Sequence, residues 1–266
     1  MARMRRTLLL ALACLALLGG QVRAGQTCSE NPPTAETLQK AFRLALKTRD
    51  ALEASGAEVA LIARVGQDLS KYRLRYSHLG FAWRDHSQGR WLVVHMLNQC
   101  GTANSDLFNE GLANFFLDDL FAWEGLVVVP GEEMQKKIAA SLREGHFVRL
   151  HEPSYNMLAY PFSTRYQNSN QWALEVMADA TGPGPLTGRA EAQQWLKANG
   201  YAPTTLEIPA MTRLGGRMFR ANIAFDDHPS ERRWAGQIDT VTVESVFAFV
   251  ASRDPASKRV LVRLDQ

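Results

Sequence analysis

Apolar positions between residues 34 and 55 recur at helical spacing: Leu38, Ala41, Phe42, Ala45 and Leu52. Thr34 stands where an N-cap belongs and Gly56 where a helix stops, so the pattern predicts a helix over 34–55. Residues 58–65 (EVALIARV) read as a buried strand, and Gly66-Gln67-Asp68-Leu69-Ser70 as a turn. Residues 76–84 (YSHLGFAWR) and 91–96 (WLVVHM) read as two strands joined by the polar, glycine-containing 85–90, the pattern of an antiparallel hairpin. Further on, the pattern predicts helices over 106–121, 132–143, 170–180 and 190–199, a short strand over 126–129 ended by Pro130, and strand-like alternation in 238–250 and 260–264. Strands and helices mix without βαβ regularity, which favours an α+β class with an antiparallel sheet packed against helices. Residues 181–188 (TGPGPLTG) form the most obvious linker, and no internal repeat is visible.

The first 24 residues stand apart from this pattern. Met1–Arg6 is a basic stretch, 8–18 an apolar run, and Val22-Arg23-Ala24 a small-residue cleavage site, the layout of a secretory leader. The apolar run is shorter than the roughly 20 residues a membrane-spanning helix needs, and no later segment approaches that length. The expected product is an exported, periplasmic chain that starts near Gly25, without a transmembrane segment after leader removal.

Removing the leader changes the charge and cysteine arithmetic. The 266 residues hold 30 Lys+Arg against 27 Asp+Glu. Four of the arginines (Arg3, Arg5, Arg6, Arg23) leave with the leader, so 26 basic face 27 acidic residues, a net of −1. That balance gives no reason to expect a nucleic-acid partner. Cys14 leaves as well, and Cys28 and Cys100 remain. An even pair in an oxidising compartment reads as one disulfide, the alternative being Cys100 as a nucleophile.

Several familiar chemistries are absent. TGPGPLTG lacks the Lys-Ser/Thr of a phosphate loop, and there is no HExxH, CxxC, calcium-loop triplet or G-x-S-x-G elbow. Asp226-Asp227-His228 reads as a turn with a hydrogen-bonded histidine rather than a metal site, and His146 and His151 show no obvious partner. No cofactor or metal is expected. The aromatic residues Trp83, Trp91, Phe162, Tyr166 and Trp172 read as core before cleft lining.

One constellation carries chemistry. Strand alternation puts His78, Gly80 and Ala82 on one face, leaving room beside the imidazole, and the hairpin returns His95 to the vicinity of His78. One histidine would act as base while the other orients it; the alternative is two separate half-buried histidines satisfied by backbone. Ser169 lies where a loop enters the helix 170–180, a place that favours a nucleophile or a developing oxyanion. Capping by Asn168 or Ser169, with Gln171 three residues on, explains the same residue types.

The runs VALIARVGQDLSKYRLRYSHLGFAWRD, WLVVHMLNQCGT, AYPFSTRYQNSNQW and ANIAFDDHPSERRWAGQIDTVTVESVFAF resemble the bacterial exported family called domain of unknown function 2145. More distantly, Ser-His-Leu-Gly-Phe-Ala after an apolar strand resembles circularly permuted, papain-like folds of the NlpC superfamily, over roughly residues 58–180. That resemblance implies a papain-like core at 58–180, preceded by a helical segment at 25–57 and followed by 181–266 packed on it as part of one domain. It implies His78 as base, His95 as orienting residue and position 169 as nucleophile, with Gln167 or helix amides at the oxyanion. It also implies an amide or ester bond in a cell-envelope peptide or acyl group as substrate. Position 169 is serine where the superfamily has cysteine. A serine must lose its proton during attack, so either a Ser-His-His centre or a non-catalytic binding protein with a papain-like cleft follows.

Overall fold

The computed structural model describes residues 32–118 and 120–264. The expected leader and Cys28 lie outside the described residues, and with them the expected Cys28–Cys100 bridge; Cys100 itself sits exposed in a turn.

Helix α1 (Ala35–Ser55) starts and stops as its sequence dictates. The Thr34 hydroxyl accepts the Thr37 amide at 3.1 Å, and Gly56 ends the helix at φ 68°, the left-handed conformation glycine adopts without strain. Its buried face is Ala41, Leu44, Ala45, Thr48 and Leu52, leaving Phe42 exposed.

The sheet has six antiparallel strands: β1 (Val59–Val65), β2 (His78–His86), β3 (Gly89–Asn98), β4 (Ser105–Gly111), β5 (Ala122–Val129) and β8 (Lys258–Arg263). They run in the order β4-β3-β2-β1-β5-β8. Both faces are covered, which is why β1, at the middle, is buried at every position and reads as an unbroken apolar run except for Arg64. On one face Leu61, Phe81, Val94 and Met96 pack against α3 (Glu132–Arg143) and α5 (Ser169–Thr181), with Phe81 meeting Trp172 edge-on. On the other, Ile62, Ala82 and Val93 pack against α1 and the one-turn helix α2 (Leu112–Phe115).

The remaining elements are the short α4 (His146–Arg149), α6 (Arg189–Ala198), a two-stranded ribbon of β6 (Thr204–Glu207) and β7 (Gln237–Thr240), α7 (Ala210–Phe219), α8 (Ser230–Trp234) and α9 (Val243–Arg253). The class is α+β, with an antiparallel sheet between helices.

Two expected elements are corrected. The segment expected as a helix over 106–121 is strand β4 followed by α2. Pairing with the ten-residue β3, from Leu92↔Gly111 to Asn98↔Ser105, overrides local pattern, and an edge strand with only Ser105 buried shows no alternation to read. The run 238–250 is strand only to Thr240. Thr242 and Ser245 then form a reciprocal capping box and open α9, whose buried Val243, Val246, Phe247, Phe249 and Val250 make an apolar run that reads equally as strand.

Candidate active site

The hairpin β2–β3 brings His78 and His95 together on the sheet face that carries α2. Their rings join through His78 Nε2 and His95 Nδ1 at 2.9 Å. Both stack near Phe115 of α2, at ring-centre distances of 5.8 and 5.5 Å. β4 adds a third member: His95 Nε2 lies 3.2 Å from Glu110 Oε2, close but not aligned as in a full hydrogen bond. Three adjacent strands therefore carry a His78–His95–Glu110 chain, with His95 wholly buried and His78 only 7% exposed.

The chain fixes a tautomer. A carboxylate beside His95 Nε2 favours a proton there, which leaves His95 Nδ1 as acceptor and makes His78 Nε2 the donor. His78 Nδ1 then keeps its lone pair, and it makes no hydrogen bond to any described residue. Burial holds the His78 pKa well below the ordinary histidine value, and the charges of Arg64 and His95 push it further down. Burial also lowers His95, against the pull of Glu110. Contact with His95 lowers Glu110, so that carboxylate is ionised. The positive field comes from Arg64, paired across β1 and β2 with His78 and almost fully buried. It donates to the Phe115 carbonyl, pairs with Asp118 and lies 4.9 Å from the Phe115 ring centre.

Gly80 is required by this packing. A Cβ there would meet His95 Cβ and Val93 Cγ1 at 2.9 Å and the Val94 carbonyl at 3.0 Å. Gly80→Ala is expected to lower stability by about 1–3 kcal/mol through overpacking, read as a lower denaturant midpoint; an unchanged midpoint would contradict the stated contacts.

Ser169 is the first residue of α5 and is 7% exposed. Asn168 is the N-cap, its side chain accepting the Gln171 amide at 2.8 Å. Asn168 is anchored in turn through its own amide to Thr240 Oγ1 at 3.0 Å. The capping is one-sided, because Gln171 turns its side chain to Glu175 and the Pro161 carbonyl. Asn170 docks the helix start on β2: its Oδ1 accepts the Leu79 amide at 3.2 Å and its Nδ2 approaches the Ser77 carbonyl at 3.4 Å. These contacts flank His78 on both sides. The backbone amides of Ser169 and Asn170 donate to nothing among the described residues, leaving two N–H groups at the helix mouth. Among the described residues Ser169 makes no hydrogen bond to His78. Its hydroxyl faces the buried Tyr155 phenol, whose pKa burial raises and Ser169 partly offsets.

Gln167 occupies a different place from the helix mouth. It is fully buried: its Nε2 donates to the Leu150 carbonyl (2.9 Å) and Glu175 Oε2 (2.6 Å), and its Oε1 accepts the Glu152 amide (2.9 Å). It belongs to a buried polar centre that sequence reasoning missed. Glu175, wholly buried on α5, accepts from Arg189 Nε (2.8 Å), Gln193 (2.8 Å), Gln167 and Gln171. Arg189 also binds the carbonyls of Thr164 (2.8 Å) and Tyr166 (2.9 Å), so the ion pair clamps the loop that delivers Asn168 and Ser169. Burial raises the Glu175 pKa, and Arg189 opposes the rise.

The other histidines have structural partners. His228 is held between Asp227 Oδ1 (2.9 Å) and the Asp239 carbonyl (3.0 Å), His146 lies 3.2 Å from Asp179 Oδ2, and His151 Nε2 lies 3.1 Å from Ser105 Oγ. Trp83, Trp91 and Trp172 are core residues, while Phe162 and Tyr166 are half-buried.

The structure thus holds an oriented imidazole chain on the α1–α2 face of the sheet and a serine-bearing helix N-terminus on the α3–α5 face, tied to the same strand β2 by Asn170, within an α+β fold. Residues 51–250 match the bacterial family described as "Uncharacterized protein conserved in bacteria (DUF2145)", and the chain belongs to that family. No curated protein and no solved structure matches it.

Proposed function

We propose that this chain is an exported cell-envelope hydrolase or acyltransferase with a permuted NlpC-type, papain-like core. It would act on an amide or ester bond through Ser169, His78 and His95. The observation that carries the reading is the 2.9 Å ring–ring bond of His78 to His95, backed by Glu110, on the strand β2 to which Asn170 ties the start of α5. Ser169 Oγ attacks the substrate carbonyl carbon while its proton passes to His78 Nδ1. The oxyanion is held by the amides of Ser169 and Asn170 rather than by Gln167, whose amide is engaged elsewhere. The new imidazolium is stabilised through His95 by the Glu110 carboxylate. The proton then goes to the leaving amine or alcohol, and water, or an acceptor nucleophile, releases the acyl group by the reverse sequence. Attack requires Ser169, which faces Tyr155 on the α5 side of the sheet, to be carried around the start of β2 to His78 as substrate seats. We place the chain in the periplasm, with Cys28 bridged to Cys100.

A second reading, a binding protein that keeps the fold without the chemistry, draws on one observation. His78 and Ser169 are each 7% exposed, and the two cavities described, about 260 and 180 Å³, are lined by neither. Labelling with a fluorophosphonate, mapped by peptide mass spectrometry, separates the two. Phosphonylation of Ser169 that vanishes in His78→Ala supports the enzyme; an unlabelled Ser169 in a folded chain supports the binding protein.

A further inference from the structure

Helix α7 is attached to the body of the protein inside out. An amphipathic helix ordinarily turns its apolar stripe inward. Here the buried residue is Arg213, whose Nη1 donates to the Ile208 carbonyl at 2.5 Å, with Gly216 resting on Ile223. The apolar stripe, Met211, Leu214 and Met218 with Phe219 beside it, faces outward at 52–79% exposure. Trp234, at the end of α8, is 78% exposed. It lies two residues before Gly236, whose carbonyl accepts the Ile208 amide at 2.9 Å, so α8 ends close to the start of α7.

Charge is segregated with this stripe. Residues 208–225 contain Arg213, Arg217 and Arg220 and no acid, in a chain whose net charge after its leader is −1. Arg217 and Arg220 are exposed and form no ion pair with any described residue, and Arg233 lies 5.8 Å from the Trp234 ring centre. Glu231 is the single acid on α8.

We propose that α7 and Trp234 form a membrane-surface docking site, which seats the protein on a bilayer bearing anionic phospholipid headgroups. Met211, Leu214, Met218, Phe219 and Trp234 enter the headgroup–acyl boundary while Arg217, Arg220 and Arg233 meet lipid phosphates. Exposed long apolar side chains together with unpaired arginines fit this interfacial geometry, whereas a second copy of the chain would bring the same arginines against each other. The site is independent of the catalytic reading.

The test is co-sedimentation of the leaderless chain with phosphatidylcholine vesicles, with and without phosphatidylglycerol. Binding is expected only with phosphatidylglycerol, to weaken with salt, and to blue-shift tryptophan emission in wild type but not in Trp234→Phe. Arg217→Gln and Arg220→Gln are each expected to weaken partitioning about fivefold, and Met218→Asp with Phe219→Asp to abolish it. All these side chains are exposed, so circular dichroism and the melting midpoint should be unchanged. Equal binding to neutral vesicles, no binding at all, or a dimer in sedimentation velocity that Met218→Asp dissociates would overturn the proposal.

Discussion

Arg189→Met is expected to destabilise the protein by about 3–5 kcal/mol, because it strands the Glu175 carboxylate without its cation in a fully buried site. For a chain of this size that lowers the thermal midpoint by on the order of 10 °C. The pH dependence has a definite sign. Burial already raises the Glu175 pKa, and loss of Arg189 raises it further, so the folded variant binds a proton more tightly than the unfolded chain. The stability this proton brings is full below the unfolded carboxyl pKa of about 4.3 and is lost as pH rises through the folded value. The deficit should therefore be smaller at mildly acidic than at neutral pH. Adding Glu175→Gln should recover part of the loss at neutral pH, since it removes the stranded charge. Thermal melts of the single and double variants check this; a single variant as stable as wild type would contradict the clamp.

His78→Ala is expected to slow phosphonylation of Ser169 by about 10²–10⁴-fold, the range of a positioned general base, in a chain that still melts cooperatively. In wild type the acid limb of the rate profile should lie below the ordinary histidine value of about 6.5. Burial and the Arg64 charge both disfavour imidazolium, so His78 stays neutral into mildly acidic solution. Its low basicity is offset during attack by Glu110, which stabilises the transferred proton through His95. An acid limb above neutral pH, or equal rates in wild type and His78→Ala, would contradict this role.

How much of this the sequence discloses depends on how local the cause is. Thr34 and Gly56 bound α1, because a cap is an affair of three or four residues. The hairpin and its two histidines are legible because alternation and a polar turn set the pairing within about twenty residues. Glu110 is hidden because β4 is an edge strand made by its neighbour β3, and its own pattern reads as helix. Arg64 and Glu175 carry a visible signal, a charge inside an apolar stripe, but the partners that make those charges tolerable lie 54 and 14 residues away. Gln167 shows the converse: proximity in sequence to Ser169 suggests the oxyanion, yet its side chain turns inward to Glu175.

Burial and the Arg64 charge hold His78 neutral, while His95, oriented by Glu110, keeps the proton on Nε2 and leaves a free lone pair on Nδ1. Imidazole nitrogen NMR of labelled protein, assigned through His78→Ala and His95→Ala, measures this directly. His78 Nε2 is expected to stay protonated and Nδ1 bare as pH falls through the ordinary histidine value. A proton on His78 Nδ1, or titration of the ring near the ordinary histidine value, would contradict it.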